Sequence, residues 1–396
     1  DPSGISIYSQ TGARYGFQLI WLSLFTFPLM AVVQEMCARI GLATGRGLAA
    51  NIRLNYPKWI LYVSALLLFL ANTLNLGANL GAMAKATELL LPAFNFGFLI
   101  VSFTALSLVA QIFIPYEKYA RYLKWLAMIL LSYVFSALSV NLDWSLILKN
   151  TLIPSMSFNK EQILLICGIL GTTISPYLFF WQTSQEIEEG ILEGKTTVAL
   201  RKTQCDSEHI RNMRVDVWSG MFFSNLVMFF IIAANAAALN ANGILNINTA
   251  EEAAMALRPI AGNDAYMLFA LGIIGTGLLA VPILAGSASY AISESFKWKF
   301  GLYRKLREAH AFYGVIIIAM IIGLAINFIG LNPIKVLIYS GVANGLIAPV
   351  ILVMIVLISS NKKIMGKHVN GPVTKFIGWT ITSLMILVGV ATILSF

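Results

Sequence analysis

Charged residues are scarce in this chain of 396 residues. Asp, Glu, Lys and Arg make up 11% of it, hydrophobic residues make up 58%, and the mean hydropathy is +0.78. A soluble protein carries about 25% charged residues, so the shortage excludes a soluble domain. The apolar runs are continuous rather than alternating, which excludes a transmembrane β-barrel. The composition therefore predicts an all-α polytopic membrane protein.

Cysteine and histidine are also rare, with three of each. The cysteines have no paired spacing, which excludes a disulfide framework and a zinc motif. The histidines fall in polar connecting stretches, so a histidine metal site within the membrane is not expected, and neither is a bound cofactor. The residues concerned are Cys37, Cys167, Cys205, His209, His310 and His368.

The apolar runs are long enough to cross a bilayer and are joined by loops too short for a separate soluble domain. A half-length helix at 5–11 is followed by ten predicted spans. They lie at about 16–38, 59–91, 95–115, 122–140, 162–185, 214–240, 265–296, 311–330, 333–359 and 375–396. We therefore expect 1–396 to form a single transmembrane domain.

Basic residues orient these spans. Of the 27 Lys and Arg residues, 21 fall in loops on one side of the predicted membrane. This bias predicts that side to be cytoplasmic and the protein to lie in the plasma (inner) membrane. The net charge of +9 then reflects topology and contact with anionic lipid, and gives no reason to expect nucleic acid as a partner.

Two proline-bearing interruptions stand out from the apolar pattern. One is Gly171-Thr172-Thr173-Ile174-Ser175-Pro176-Tyr177, inside the run 162–185, and the other is Asp1-Pro2-Ser3-Gly4. Proline leaves backbone carbonyls without partners, and broken backbone survives at membrane depth only against protein or water. A packed proline kink and an arbitrary chain start are the simpler alternatives. Paired breaks five spans apart instead predict a transporter site between two inverted halves.

Charges at membrane depth are functional candidates by default. Besides Asp1, the sequence places Glu35 and Glu294 near or within spans. Glu35 precedes Arg39 by four residues, which predicts a structural ion pair, and Glu294, near a helix end, is expected to snorkel or to pair locally. The three carboxylates are too far apart for an intramembrane enzyme, which needs a cluster of titratable groups.

The residues around the first break resemble the Nramp family of divalent-metal transporters. Asp1-Pro2-Ser3-Gly4, Gln10-Thr11-Gly12-Ala13-Arg14-Tyr15-Gly16 and Ala38-Arg39-Ile40-Gly41-Leu42-Ala43-Thr44-Gly45 are similar to its first two helices. The family has Asp-Pro-Gly-Asn at the first break and Met-Pro-His at the second, where this chain has 171–177. The resemblance covers the whole chain in span count and in the place of both breaks.

The resemblance implies a LeuT-like fold with two inverted five-helix repeats and an eleventh helix. Helices 1b–5 would occupy 1–140, helices 6–10 would occupy 160–360, and helix 11 would occupy 373–396. The first half of helix 1 would precede residue 1. The family's metal ligands map onto Asp1, Gly4, the carbonyl of Thr172, and Ser175.

The first departure from the family pattern concerns the metal ligands. Gly4 replaces the family's Asn, which removes a ligand and is expected to open volume, and Ser175 replaces its Met. A thioether favours transition metals, whereas a hydroxyl is a hard ligand. An oxygen-only site with one carboxylate suits Mg²⁺, which keeps several waters. The chain is therefore most similar to the Nramp-related magnesium transporter branch, with partly hydrated Mg²⁺ as substrate and Mn²⁺ also accepted.

A second departure concerns protons. Family members that couple metal to protons carry histidines on helix six and acidic residues on helix three. This chain has Tyr177 and Gln182 at the positions of those histidines. Its third helix carries Asn72, Asn75 and Asn79 on one face, and amides do not titrate. We expect uncoupled transport. The amides either hydrate the ion path or hold helices together. Further polar residues expected to line the site are Ser340 and Asn344.

Two other transport functions stay open from the sequence. One is a proton-coupled Mn²⁺/Fe²⁺ transporter of the Nramp type. The other is an organic-solute carrier on the same fold, which an acidic Asp1 at the site argues against. The expected partners are divalent ions and the lipid bilayer, and the expected state is a monomer.

Overall fold

Helices dominate the computed structural model, which describes residues 1–114, 125, 128–139, 142–203, 205–258 and 262–395. No strand occurs in these ranges, which agrees with the all-α prediction. In chain order the α-helices are α1 (Pro2–Tyr15), α2 (Trp21–Thr44), α3 (Leu48–Asn55), α4 (Lys58–Leu90), α5 (Phe96–Phe113), α6 (Ser132–Ser139), α7 (Trp144–Leu152), α8 (Lys160–Thr173), α9 (Pro176–Leu192), α10 (Val198–Thr203), α11 (Ser207–Ala238), α12 (Ala250–Ala254), α13 (Ala265–Phe296), α14 (His310–Ile326), α15 (Pro333–Ser359), α16 (Lys362–Met365) and α17 (Pro372–Ser395).

Eight helical segments within the described ranges are long and apolar enough to cross a membrane. They are α2, α4, α5, the pair α8 and α9, α11, α13, α15 and α17. Two shorter apolar helices, Met128–Ser139 and His310–Ile326, fall where the sequence predicts the other two spans. In the predicted span 122–140, residues 122–124, 126, 127 and 140 lie outside the described residues. Lys118, Arg121 and Lys124 of the basic loops lie outside them as well.

The break predicted at Pro176 separates α8 from α9. α8 ends at Thr173, and Ser175 is the extended N-cap residue before Pro176 at the first position of α9. Proline suits that position because its missing N–H would have no helical partner there. The interruption is therefore a break between two helices rather than a kink within one.

α1 is longer than the predicted 5–11 and begins at the other break. Asp1 is its N-cap residue, and Pro2 stands at its first position. Most of its residues are buried, including Ser3, Ser9 and Thr11. A short helix with this much polar surface stays buried because it packs among α4, α8, α11, α13 and α15. α1 thus lies at the centre of the helix bundle.

α8 and α15 approach each other at glycines. A methyl group on Gly171 would collide with the carbonyl oxygen of Gly341 and the amide nitrogen of Gly345. Small residues allow helix backbones in membranes to pack this closely, and the resulting van der Waals attraction stabilises the pair. The close approach holds the second break against α15, which also carries Ser340.

Glu35 forms the predicted ion pair with Arg39 but has two closer partners. The Oε1–Arg39 distance is 3.8 Å, whereas Arg214 lies 2.9 Å from Oε1 and the Trp218 indole N–H donates to Oε2 at 2.9 Å. Both closer partners are on α11, so the carboxylate ties α2 to α11. Sequence spacing finds neighbours on one helix and misses those on another.

Glu294 neither snorkels nor pairs locally, the two roles that the sequence predicts for it. Its Oε2 accepts a 2.9 Å hydrogen bond from the backbone N–H of Ala50, in the first turn of α3, and its side chain is buried. Gly47 makes room for it, because a Cβ there would collide with the carboxylate. A carboxylate at a helix N-terminus pairs with unsatisfied N–H groups and the positive end of the dipole. Glu294 therefore joins the end of α13 to α3.

Candidate functional site

The Asp1 carboxylate is held by three donors at the first break. Its Oδ1 accepts the backbone N–H of Ser3 at 2.6 Å, which is the helix cap of α1. Its Oδ2 accepts from the Asn75 amide at 2.9 Å and from the Tyr177 hydroxyl at 3.2 Å. α4 and α9 thus each supply a donor, and all three of these donors are neutral. This arrangement stabilises an ionised carboxylate.

Asn75 is itself positioned by α15. The Ser340 hydroxyl donates to the Asn75 carbonyl oxygen at 3.1 Å, and both residues are fully buried. Because the Asp1 carboxylate only accepts, the amide turns its nitrogen toward Asp1 and its oxygen toward Ser340, whose hydroxyl also lies 2.8 Å from the Leu337 carbonyl oxygen. Of the residues predicted to line the site, the structure brings Asn75, Ser340 and Tyr177 together with Asp1.

Ser175 lies in the second break and is completely buried. Its hydroxyl lies 2.6 Å from the carbonyl oxygen of Gly171 and 3.0 Å from that of Thr172. It also interacts with the Tyr177 side chain, which reaches Asp1. Ser175 therefore has one hydroxyl proton to share between two carbonyls that the break leaves without helical partners, with Gly171 the closer, and it contacts the Asp1 cluster through Tyr177.

A cavity of about 440 Å³ opens beside Asp1. Gly4, Tyr8, Thr172 and Tyr177 line it on the side of the two breaks, and residues of α11 and α13 line the other side. Among the described residues, Asp1 is the one acidic side chain on its wall. The cavity joins a carboxylate to hydroxyl groups and otherwise apolar walls, which is an arrangement that can hold a cation with water around it.

Tyr8 takes up part of the volume expected at Gly4, although Gly4 still lines the cavity. A Cβ on Gly4 would lie 3.1 Å from the ring of Tyr8, one turn along α1. The Tyr8 hydroxyl is in turn 3.3 Å from the Thr172 hydroxyl, so Tyr8 connects the two breaks. Sequence reasoning missed Tyr8. Its spacing of four residues from Gly4 on a helix that begins at the site is the signal that identifies it.

The other two asparagines of α4, Asn72 and Asn79, are buried but do not contact Asp1. Asn72 donates to the Leu284 carbonyl and the Ser287 hydroxyl on α13, which is the interhelical role the sequence left open. Neither polar atom of the Asn79 or Asn344 amide has a hydrogen-bond partner among the described residues. Burying an unpaired amide costs about 1–3 kcal/mol. Ordered water is the usual partner of such groups, so we expect water beside both.

Gln182 lies away from Asp1. It accepts from the Gln34 amide at 3.1 Å and donates to Glu186 at 2.8 Å. It lines a second cavity, of about 420 Å³, together with Glu186, Glu189 and Asp216. This cavity lies toward the loops that the charge bias predicts to be cytoplasmic. Gln182 is therefore not part of the Asp1 cluster.

Comparison with known proteins shows the family. The profile described as "Natural resistance-associated macrophage protein-like" (Nramp) matches residues 1–395. The "Divalent metal cation transporter MntH" of Klebsiella pneumoniae is 28% identical over 392 residues, which cover 98% of this chain and 88% of that protein. The protein of the same name from Caldanaerobacter subterraneus is 27% identical over 401 residues, at the same coverage of both chains.

Solved structures share the fold. A manganese transporter of Eremococcus coleocola, in complex with an aromatic bis-isothiourea compound, has a TM-score of 0.78 and is 16% identical; the match covers 99% of this chain and 83% of that one. Mhp1, a nucleobase-cation-symport-1 transporter, has a TM-score of 0.52 at 14% identity, over 99% and 90% of the two chains. This is the LeuT-like fold that the resemblance to the Nramp family implies. The chain belongs to the Nramp family, and it is a multi-pass membrane transporter rather than an enzyme.

Proposed function

We propose that this chain transports divalent metal cations by alternating access, carrying partly hydrated Mg²⁺ and accepting Mn²⁺ without coupling to protons. The metal would bind between the two breaks, at Asp1, beside Gly4, at the Thr172 carbonyl, and next to Ser175. This proposal places the chain in the Nramp-related magnesium transporter branch. The repeats 1–140 and 160–360, with helix 11 at 373–396, would supply the moving halves.

The observation that carries the proposal is the set of hard oxygen atoms on the cavity wall. Besides the Asp1 carboxylate, the wall includes Tyr8, Thr172 and Tyr177, each of which carries a hydroxyl, and the break opposite carries Ser175 rather than a methionine. Oxygen donors suit Mg²⁺ and Mn²⁺, whereas softer metals prefer sulfur. Met30 and Met221 do line the cavity, but the sulfur of Met30 accepts a 3.2 Å hydrogen bond from Asn225.

The size of the cavity supports a hydrated substrate. A water molecule takes about 30 Å³ in the liquid, and Mg²⁺ gives up its waters reluctantly. The cavity of about 440 Å³ has room for an ion and several waters even with Tyr8 over Gly4. A stripped ion would instead need more protein ligands than the one carboxylate here.

The absence of proton coupling is supported by what contacts Asp1. The group opposite it on α4 is the Asn75 amide, which carries no exchangeable charge, and Tyr177 stands where proton-coupled relatives have histidine. Among the described residues, no second carboxylate or histidine lines the cavity. A proton relay would need such a group next to Asp1.

We also propose the orientation and the setting. The basic loops would face the cytoplasm, in the plasma (inner) membrane, and the chain would act as a monomer without nucleic acid. Exposed large apolar side chains such as Phe113, Phe376 and Leu394 provide the lipid-facing surface.

An impermeant lysine reagent tests the orientation, because it should label Lys362 and Lys367 only from the inside.

Uptake in proteoliposomes tests the proposal. With one dye for Mg²⁺ and one for pH inside the vesicles, we expect Mg²⁺ to enter down its gradient while the internal pH stays constant. Mn²⁺ should compete. Acidification in step with metal entry would instead establish the alternative, a proton-coupled Mn²⁺/Fe²⁺ transporter. That alternative is favoured by the manganese transporter named among the structural relatives.

An organic-solute carrier is the second alternative, and the shared fold with Mhp1 favours it. Half-helix N-termini in such carriers receive an anionic substrate group. Here the N-terminus of α1 is already occupied by Asp1, which would repel it. Uptake of Mg²⁺ in the absence of any organic solute distinguishes the two.

A further inference from the structure

A cleft of about 440 Å³ lies at the C-terminal end of α15, far along that helix from Ser340. It is formed where α15 and α17 meet the chain between α3 and α4. Its polar and aromatic lining consists of Tyr56, Ser360, Asn361, Lys362, Lys375 and Trp379. None of these residues takes part in the Asp1 cluster.

The surroundings of the cleft are strongly cationic. Lys362, Lys363, Lys367 and Lys375 all fall between the end of α15 and the first turn of α17, and no Asp or Glu occurs anywhere in 309–396. Lys362 and Lys375 are exposed, and neither forms an ion pair within the described part of the chain. Two unpaired lysines at one cleft attract an anion.

The side chains around the cleft are of the kinds that concentrate at a membrane surface. Trp379 and Tyr56 line it, and such aromatic side chains concentrate where the hydrocarbon meets the head groups. Directly beside it, α17 exposes Val373 (69%) and Phe376 (72%), and the cleft wall includes Leu357 of α15. A ligand here would meet lysines at one end and apolar side chains at the other.

The polar side of the cleft is held in place. Asn361 caps α16 by accepting the backbone N–H of Lys363 at 2.9 Å, and its side chain interacts with Tyr56. Asn370 donates to the Ser360 hydroxyl at 3.2 Å. These contacts fix the chain on both sides of Lys362, so the cleft is formed before any ligand arrives.

We propose that this cleft binds the phosphate head group of an anionic phospholipid. Lys362 and Lys375 would contact the phosphate, and the acyl chains would lie along Leu357 and Phe376. Basic pockets between transmembrane helices at the membrane surface recognise lipid head groups in this way. The bound lipid would bridge α15 and α17, so it would stabilise the packing of the last helix on the helix that carries Ser340.

Lipid binding to the purified full chain in neutral detergent tests this proposal. We expect phosphatidylglycerol to remain bound in native mass spectrometry and to raise the unfolding temperature, whereas phosphatidylcholine does neither. In the K362Q/K375Q variant the affinity for phosphatidylglycerol should fall by roughly tenfold or more, the loss expected for two lysines at a membrane surface.

The matched control is K363Q/K367Q, which removes the same charge from the same segment but lies outside the cleft. Because Lys363 and Lys367 belong to the cationic surroundings but do not line the cleft, we expect this variant to lose much less affinity than K362Q/K375Q. An equal loss in both variants would contradict a specific cleft, because it would indicate general attraction to a charged surface. Glycerol 3-phosphate supplies the same phosphate without acyl chains. If it raised the unfolding temperature as much as phosphatidylglycerol does, the lipid assignment would be wrong.

Discussion

The amide of Asn75 connects Asp1 to Ser340 by using both of its ends. Its nitrogen donates to Asp1 Oδ2 at 2.9 Å, and its oxygen accepts from the Ser340 hydroxyl at 3.1 Å. A carboxylate at position 75 could not donate to Asp1 and would repel it. The amide therefore suits an Asp1 that stays ionised, and it lets α4 and α15 both position the charge without carrying one.

Replacing Asp1 by Asn tests its role as the charged ligand. Asn caps a helix as well as Asp does, so the start of α1 should be preserved. Losing even an outer-sphere partner of a metal ligand costs about 10–100-fold in affinity, so loss of the carboxylate should weaken Mg²⁺ binding by at least about 100-fold. Calorimetry measures the affinity for Mg²⁺. Glu208→Gln, an exposed acidic residue of α11, is the control; an unchanged affinity for Mg²⁺ in Asp1→Asn would refute the placement of the site.

Asn75→Asp is expected to make transport sensitive to pH. Two facing carboxylates cannot both stay ionised easily without a cation, so protons would compete with the metal. Mg²⁺ uptake should then fall as the external pH is lowered from 8 to 6, whereas the wild-type rate changes little. Uptake assays at fixed metal concentration measure this. Asn72→Asp is the comparison on the same face, one turn away and without contact to Asp1.

Ser175→Met is expected to change which metal is preferred. A thioether at the second break would favour Mn²⁺ and Cd²⁺ over Mg²⁺, by about tenfold or more in competitive uptake. The substitution also removes the hydroxyl that contacts the Gly171 and Thr172 carbonyls. Ser175→Ala separates the two effects, because it removes the hydroxyl without adding sulfur. Equal selectivity in both variants would show that the sulfur has no part in the change.

Gly4→Asn is expected to fail as a way of adding a ligand. The Cβ would press on the Tyr8 ring, 3.1 Å away, so the amide would have to displace Tyr8 before it could reach a metal in the cavity. Metal affinity should therefore stay the same or fall in Gly4→Asn, and rise only when Tyr8→Ala is added. Calorimetry with Mn²⁺ compares the two. A gain in the single variant would show that Tyr8 moves aside readily.

Gly171→Ala is expected to destabilise the protein. The new methyl group meets the backbone of α15 at Gly341 and Gly345, which cannot move aside as a side chain can. Overpacking of this kind costs about 1–3 kcal/mol, which should lower the unfolding temperature measurably. Gly314→Ala in α14 is the matched control, since nothing lies within 4 Å of its added methyl group. It should leave stability unchanged or raise it by about 0.5–1 kcal/mol.

The long apolar segments of the sequence predicted the architecture well. Spans 265–296 and 333–359 coincide with α13 and α15, because hydropathy over many residues determines which segments enter a bilayer. The break before Pro176 was also predicted, since proline cannot continue the hydrogen bonds of α8. The end of α1 at Tyr15 was not predicted, because the polar residues of α1 are buried by contacts with other helices, which the pattern of its own sequence does not show.

Contacts between distant segments were the part that the sequence could not supply. Asn72, Asn75 and Asn79 share one helical face, yet Asn75 contacts Asp1, Asn72 contacts α13, and Asn79 has no partner among the described residues. Which amide meets the carboxylate depends on the depth at which α1 begins. A gap left by a small residue can likewise be filled from the next turn, as Tyr8 does over Gly4.

The capping of α1 by Asp1 has an electrostatic consequence. The N-termini of α1 and α9 both carry partial positive charge, and both begin at the proposed metal site. These dipoles oppose a cation, while Asp1 and the carbonyls at the end of α8 attract it. A transporter must release what it binds, and opposing fields weaken the hold on the bound ion. The broken helices would then set the speed of turnover as well as the place of binding.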